Sequence, residues 1–134
     1  MLARREAAGE GADEALVLNT AGRVAELAAA NVFAVVRGRL LTPPVTEGAL
    51  PGIARALVME LARRLRLAVG ERQIRPRQLA AAAECFATNS LLEVCPVAEI
   101  DGARLGRGVP GPVPARLAAA DREEVARRCA RSAR

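Results

Sequence analysis

The sequence predicts an α/β or α+β fold. Short apolar runs typical of strands alternate with helical stretches along the chain, and no segment repeats or sustains a heptad pattern. The 134 residues are enough to enclose one hydrophobic core, so we expect a single domain over 1–134. Phe33 and Phe86 are the only aromatic residues. The core must therefore be built from Ala, Leu, Val and Ile.

The first part of the chain consists mainly of predicted strands. A short helix is expected at 2–8, followed by strands at 14–19, 23–28, 31–36 and 39–42. Arg37-Gly38 predicts a hairpin turn between the last two strands. Pro43-Pro44 then ends regular structure, because proline cannot donate to a strand ladder.

The second part begins with the strongest helical pattern in the chain, at 52–68. Apolar residues at Ile53, Leu57, Leu61 and Leu65 recur at helical spacing, and Gly70 is expected to end the helix. A strand is expected at 71–74, then a helix from Pro76 to about Ala83. The remaining predicted elements are strands at 84–88 and 93–100, a turn at 101–102, a connector at 106–114 and a final helix to about residue 131.

Composition narrows the class of protein. All 20 Lys+Arg residues are arginine, and the net charge is +5. The arginines are scattered and have no interleaved aromatics to stack on bases, so we expect no nucleic-acid partner, although a basic nucleic-acid-binding module remains an alternative. No apolar run reaches the roughly 20 residues that span a bilayer, and no secretory signal is recognisable.

The three cysteines lack metal-ligand or redox spacing, which favours free thiols in a cytoplasmic protein. Without histidine, a zinc site is excluded.

Three places could carry chemistry. Glu26 is an acid in an apolar segment, where burial requires a partner such as a protonated ring nitrogen; an arginine or solvent is the simpler alternative. Gly52-Ile53 opens a helix, whose first N–H groups attract phosphate. Asn89-Ser90 follows a strand and could form an anion-binding turn. Taken singly, each pattern also occurs in ordinary helix starts and turns.

Taken in order, these places fall within a longer series of motifs. The series includes Gly22-x-Val24-x-Glu26, Asn31-Val32-Phe33, Leu50-x-Gly52-Ile53-x-Arg55, Phe86-x-Thr88-Asn89-Ser90 and Gly106-x-Gly108. It resembles the class IV aminotransferase family of pyridoxal-phosphate enzymes over nearly the whole chain, from Ala3 to Leu117. The resemblance implies the C-terminal large domain of a fold-type IV enzyme, with a mixed sheet or pseudo-barrel flanked by helices.

The resemblance also implies how pyridoxal 5′-phosphate would be held. Glu26 would bind the pyridine nitrogen and keep it protonated, while Leu50 would pack against one face of the ring.

The phosphate would be held by two segments. Ile53 and Ala54 would donate backbone N–H groups, and Asn89 and Ser90 would complete the cup from the opposite loop. Position 54 commonly holds Thr in the family, so Ala54 should cost about 1 kcal/mol of phosphate binding.

Within the family, the Thr88-Asn89-Ser90-Leu91 segment is most similar to aminodeoxychorismate lyases. We therefore expect a lyase that forms 4-aminobenzoate and pyruvate in the folate pathway. A branched-chain or D-amino-acid aminotransferase is the alternative. The small-molecule partner would accordingly be aminodeoxychorismate or an amino acid.

The sequence contains no lysine. In the family, a lysine upstream of the segment matching 2–8 holds the cofactor as a Schiff base and shuttles protons. We therefore expect a truncated, internally started or split product that is inactive alone and partners with a second copy or with the missing N-terminal segment. A non-catalytic module that still binds phosphate or cofactor is a further alternative.

Overall fold

The computed structural model describes residues 15–28, 30–89, 93–100, 103–105 and 112–132. Its strands are β1 (Leu16–Leu18), β2 (Val24–Leu27), β3 (Asn31–Val36), β4 (Arg39–Thr42), β5 (Val69–Glu71), β6 (Glu84–Asn89), β7 (Glu93–Pro96), β8 (Glu99–Ile100) and β9 (Ala103–Arg104). Its helices are α1 (Ile53–Arg64), α2 (Pro76–Ala80) and α3 (Pro112–Ser132), with a 3₁₀ turn at Val45–Glu47. The predicted α/β character is confirmed.

Five of the described strands form one mixed sheet in the order β5-β4-β3-β6-β7. The β4–β5 pair is parallel, and the other neighbours are antiparallel. Strand β3 lies at the centre, where Asn31 pairs with Thr88 and Phe33 pairs with Phe86 of β6. Strands β1 and β2 form a separate antiparallel pair, as do β8 and β9.

Hydrophobic clusters cover both faces of this sheet. Successive side chains of β3 point to opposite faces, so they contribute to both clusters in turn. Val32 and Ala34 belong to a cluster that includes Ile74 and Leu79 of the α2 region. Phe33 and Val35 belong to a second cluster, which they share with residues of α1 and α3. The Phe33 and Phe86 rings stack with their centroids 5.1 Å apart. The two aromatic residues thus reinforce one cross-strand pair at the centre of the core.

The predicted hairpin turn is confirmed. Arg37 and Gly38 connect β3 to β4 with φ angles of 50° and 76°. Positive φ at both positions matches the twist of the flanking strands, which is why this turn sets the register of the pair.

The end of the long helix differs from the prediction. Helix α1 ends at Arg64, and Gly70 lies within β5 instead of terminating the helix. Arg66 adopts φ of 59°, while Leu67 N–H bonds to Ala62 O and Arg66 N–H bonds to Arg63 O. These two bonds close the helix as a Schellman motif, with an arginine in the position usually taken by glycine.

The set of exposed residues on α1 also differs from the sequence prediction. Ile53 is 87% exposed, whereas Val58, Leu61 and Ala62 are buried. Of the predicted row, Leu61 is buried and Leu57 and Leu65 are partly buried against the same core, so the prediction fails only at Ile53.

Several other boundaries shift. Strand β5 begins at Val69 instead of residue 71, α2 ends at Ala80, and the expected strand 93–100 is divided into β7 and β8. Helix α3 already begins at Pro112, because prolines are tolerated in a first turn whose N–H groups lack helical partners. The expected helix at 2–8, the turn at 101–102 and most of the connector at 106–114 lie outside the described residues.

Two negative findings apply to the part of the chain that is described. None of its helices combines the length and apolar character needed to cross a bilayer. Nor do its Cys, Asp and Glu residues form a group of three that could hold a metal ion. Cys85 is a buried free thiol whose pKa is raised to about 12 by burial, and Cys95 is a free thiol at the surface.

Candidate functional site

The carboxylate of Glu26 lies beside the loop that leads into α1. Glu26 is a half-buried residue of β2, and its Oε2 accepts a 2.9 Å hydrogen bond from the backbone N–H of Leu50. Its observed partner is therefore a backbone amide and not an arginine. Because this bond engages one carboxylate oxygen from one direction, the group keeps acceptor capacity for a second donor.

The peptide group after Leu50 is held by two further bonds. Leu50 O accepts one from Gly52 N–H at 2.8 Å, which closes a tight three-residue turn around Pro51. It also accepts one from Nδ2 of Asn31 at 3.0 Å. With its backbone fixed on both sides, Leu50 still exposes 66% of its surface. The loop therefore presents an apolar side chain next to the Glu26 carboxylate.

Gly52 allows this loop to approach β3 closely. A Cβ atom added at Gly52 would lie 2.5 Å from Oδ1 of Asn31, well inside van der Waals contact. Asn31 is 7% exposed and bonded to Leu50, so it has little room to move away. A side chain at position 52 would therefore force Asn31 to shift where the chain enters α1.

Helix α1 begins without a cap from the described side chains. Gly52 is the N-cap residue, no side chain bonds to the first turn, and that turn contains no acidic residue. The N–H groups of Ile53 and Ala54 have no acceptor within the helix. This end of α1 can accordingly take an anion.

Arg55 anchors the same turn from the protein side. This buried residue donates from Nη2 to Pro43 O at 3.1 Å and to the carboxylate of Glu71 in β5. Helix α1 is thereby tied to the ends of β4 and β5, and its first N–H groups are held in place.

Of the six residues expected to bind the cofactor, the structure brings four together. Glu26 and Leu50 are in contact, and Ile53 and Ala54 follow Leu50 by three and four residues at the start of α1. The backbone of Asn89 ends β6, one residue after Thr88, which pairs with Asn31. The Asn31 contact with Leu50 therefore places the end of β6 and the start of α1 at the same end of β3. Ser90 lies outside the described residues.

The sequence motif Asn31-Val32-Phe33 does not by itself indicate the role of Asn31. The available signal was an amide side chain in an otherwise apolar strand, where burial requires partners. Nor does the sequence pattern single out Glu47, which is 5% exposed and accepts bonds from Asn19, Arg23 and Gln73. The hydrogen bond from Arg23 is the main reason that the pKa of Glu47 is lowered.

With this geometry established, similarity to known proteins identifies the class. A model of the class IV amino-transferases matches residues 1–100. The branched-chain aminotransferase from Thermobaculum terrenum, in its PLP form, superposes with a TM-score of 0.89 at 42% identity, covering 92% of this chain and 41% of that one. The enzyme from Thermoproteus uzoniensis, solved with norvaline, gives a TM-score of 0.86 at 40% identity over 90% of this chain and 40% of its own.

Curated sequences point the same way. A probable branched-chain-amino-acid aminotransferase of Aquifex aeolicus is 41% identical over 117 residues, which is 87% of this chain and 38% of the relative. The Escherichia coli K12 branched-chain-amino-acid aminotransferase is 38% identical over the same length, with the same two shares. The chain thus spans about two fifths of the length of these relatives.

The fold is that of the fold-type IV pyridoxal-phosphate enzymes. The chain belongs to the class IV aminotransferase family. The expectation of an aminodeoxychorismate lyase in the folate pathway finds no support, because the relatives given above are branched-chain aminotransferases. The alternative expectation, a branched-chain aminotransferase, fits these relatives better.

Proposed function

We propose that this chain is the cofactor-binding part of a pyridoxal-phosphate-dependent branched-chain amino-acid aminotransferase. The observation that carries the proposal is the Glu26–Leu50 hydrogen bond, which joins a carboxylate, an exposed apolar side chain and an uncapped helix start in one patch. A flat, positively charged ring that carries a phosphate needs these three features. The chain's membership of a family of such enzymes supports the same reading.

Each residue has a defined task in this proposal. When bound, pyridoxal phosphate supplies an electron sink for the bond broken at the substrate's α-carbon. Glu26 holds a proton on the ring nitrogen through a charge-assisted hydrogen bond. Leu50 covers one face of the ring and excludes water from it.

The phosphate end is held by backbone. Ile53 and Ala54 donate their N–H groups, and the partial positive charge of the α1 N-terminus adds to the attraction. Asn89 and Ser90 are proposed to close the cup from the end of β6. Ala54 supplies an N–H group but no hydroxyl, so this cup has one donor fewer than a cup with Thr at that position.

The substrate assignment rests on the relatives, whose names specify branched-chain amino acids. Transamination by this class of enzyme also needs an amine that bonds the cofactor and moves a proton, and no lysine occurs among the 134 residues. We propose that such a lysine comes from sequence outside these residues, in a neighbouring domain or a partner chain.

The test is an isothermal calorimetry titration of the full chain with pyridoxal 5′-phosphate, followed by competition with inorganic phosphate. Saturable one-to-one binding that phosphate displaces is expected, without a covalent adduct after borohydride treatment. A folded chain that binds no pyridoxal phosphate contradicts the proposal.

A second candidate function follows from the missing lysine: a module that binds the cofactor without catalysing a reaction. The two proposals differ when the chain is mixed with the lysine-bearing N-terminal part of a branched-chain relative. With 2-oxoglutarate supplied as the amino acceptor, conversion of leucine to its 2-oxo acid and of 2-oxoglutarate to glutamate only in the mixture favours the aminotransferase. Cofactor binding without turnover, in a mixture where the two parts co-elute, favours the module.

A further inference from the structure

A partly buried ion pair lies close to the candidate site, between the segments that carry Glu26 and Leu50. Arg23 donates from Nε and Nη2 to the two carboxylate oxygens of Glu47. Asn19 adds a bond to Oε2 at 2.9 Å, and Gln73 adds one to Oε1 at 3.3 Å. The carboxylate is therefore satisfied by three donor residues from two segments of the chain, the turn at 19–23 and Gln73.

The pair connects the two segments that carry the site. Arg23 stands three residues before Glu26, and Glu47 stands three residues before Leu50. Asn19 strengthens the connection: its Nδ2 also bonds to Glu47 O at 3.1 Å, and its Oδ1 accepts from Arg23 N–H at 3.1 Å. Glu47 itself forms part of the 3₁₀ turn that leads to Leu50.

Three contacts join the segment that begins at Arg23 and runs into β2 to the segment that begins at Glu47. Arg23 donates to the carboxylate of Glu47, a Cβ atom added at Gly48 would lie 3.5 Å from Cβ of Ala25, and Glu26 accepts from the N–H of Leu50. Gly48 can follow this path because its φ of 105° suits glycine. The segments 23–26 and 47–50 therefore run side by side and are fastened at both ends.

We propose that the Arg23–Glu47 pair is a positioning pair that sets the spacing between the Glu26 carboxylate and the N-terminus of α1. The inference rests on the proposed function, because that spacing matters only to a ligand that engages both groups. Pyridoxal phosphate is such a ligand, with its ring nitrogen and its phosphate at opposite ends. If the pair is broken, each end can still bind, but the two no longer fit together.

The test compares three probes on the full chain: pyridoxal 5′-phosphate, inorganic phosphate and unphosphorylated pyridoxine. Glu47→Gln removes the charge and keeps the size of the side chain. We expect its affinity for pyridoxal phosphate to fall about tenfold, since two linked contacts lose their joint geometry. Its affinities for phosphate and for pyridoxine should each change less than about twofold, because one-ended ligands do not sense the spacing.

Glu60→Gln is the matched control. It makes the same chemical change in an ion pair with Arg64 on α1, in which both side chains are about half exposed. It should leave all three affinities unchanged. Arg23→Gln is the second variant and is used if Glu47→Gln does not fold. In this variant Glu47 keeps its hydrogen bonds from Asn19 and Gln73, so only the ion pair is removed.

An unchanged affinity for pyridoxal phosphate in a folded variant overturns the inference. An equal loss for all three probes also overturns it, since that pattern indicates general damage to the site. If the wild-type chain binds none of the probes, the proposed function fails first, and this inference fails with it.

Discussion

Leu50 N–H and Oε2 of Glu26 are joined by a 2.9 Å hydrogen bond between residues 24 positions apart in the sequence. The bond fixes the carboxylate relative to the loop that opens α1. On the other side of the same residue, Asn31 holds Leu50 O. Hydrogen bonds to Glu26 of β2 and from Asn31 of β3 thus fix the backbone of Leu50, which carries the exposed apolar side chain.

Gly52→Ala tests the close approach to Asn31. The added Cβ would lie 2.5 Å from Oδ1, and the buried amide cannot move without losing its bond to Leu50. We expect a loss of about 2 kcal/mol in the free energy of unfolding. Urea denaturation measures it. Gly70→Ala is the control, because nothing lies within 4 Å of a Cβ there.

The same effect should depend on Asn31. In an Asn31→Ala background, Gly52→Ala should cost clearly less than in the wild type, because the clashing oxygen is gone. Equal costs in both backgrounds would contradict the contact.

Ala54→Thr tests the phosphate site by gain of binding. A hydroxyl in the first turn of α1 adds one donor, worth about 1 kcal/mol or a fivefold gain in affinity for pyridoxal phosphate. Isothermal calorimetry measures the change. Ala56→Thr is the control, because it introduces the same residue at an exposed position farther along α1. A matching gain in both variants would assign the effect to something other than the phosphate contact.

Arg66→Gly tests the end of α1. Arg66 adopts φ of 59°, a conformation that costs an L-residue about 1 kcal/mol relative to glycine. We expect the variant to be more stable by about that amount, visible as a higher Tm. Arg63→Gly, within the last helical turn, should be less stable by a similar amount. Destabilisation by both changes would show that the Arg66 side chain matters more than its backbone.

Glu47 predicts how stability depends on pH. Its pKa is lowered in the folded protein from an ordinary value of 4.5, mainly by the hydrogen bond from Arg23. Its contribution is therefore complete above about pH 4.5 and is lost as the pH falls through the lower folded value. The difference in unfolding free energy between wild type and Glu47→Gln should shrink from pH 6 to pH 3. A difference that grows towards acid would contradict the assignment.

The fold could be read largely from local patterns. Arg37-Gly38 marked the β3–β4 hairpin, because few residue pairs suit two positive φ angles. The end of α1 could not be read in this way. Arg66 occupies the left-handed position that glycine usually takes, so the sequence pattern predicts a helix end at Gly70 instead.

The site was predictable as a set of residues but not as a geometry. Glu26 was singled out because an acid stood in an apolar segment, yet its partner is a backbone N–H at Leu50. No local pattern indicates a partner that distant. The burial of Glu47 is not indicated by the sequence for the same reason, since its hydrogen-bond donors lie 24 to 28 positions away along the chain.

The most direct test of the central claim is an amide NMR titration of ¹⁵N-labelled chain with pyridoxal 5′-phosphate. The account predicts that the amides of Ile53 and Ala54 shift most, because they donate to the phosphate. Glu26→Gln should weaken binding about tenfold and leave the same two amides responding, since it alters only the ring contact. Shifts centred elsewhere on the chain, or none at saturating ligand, would contradict the account.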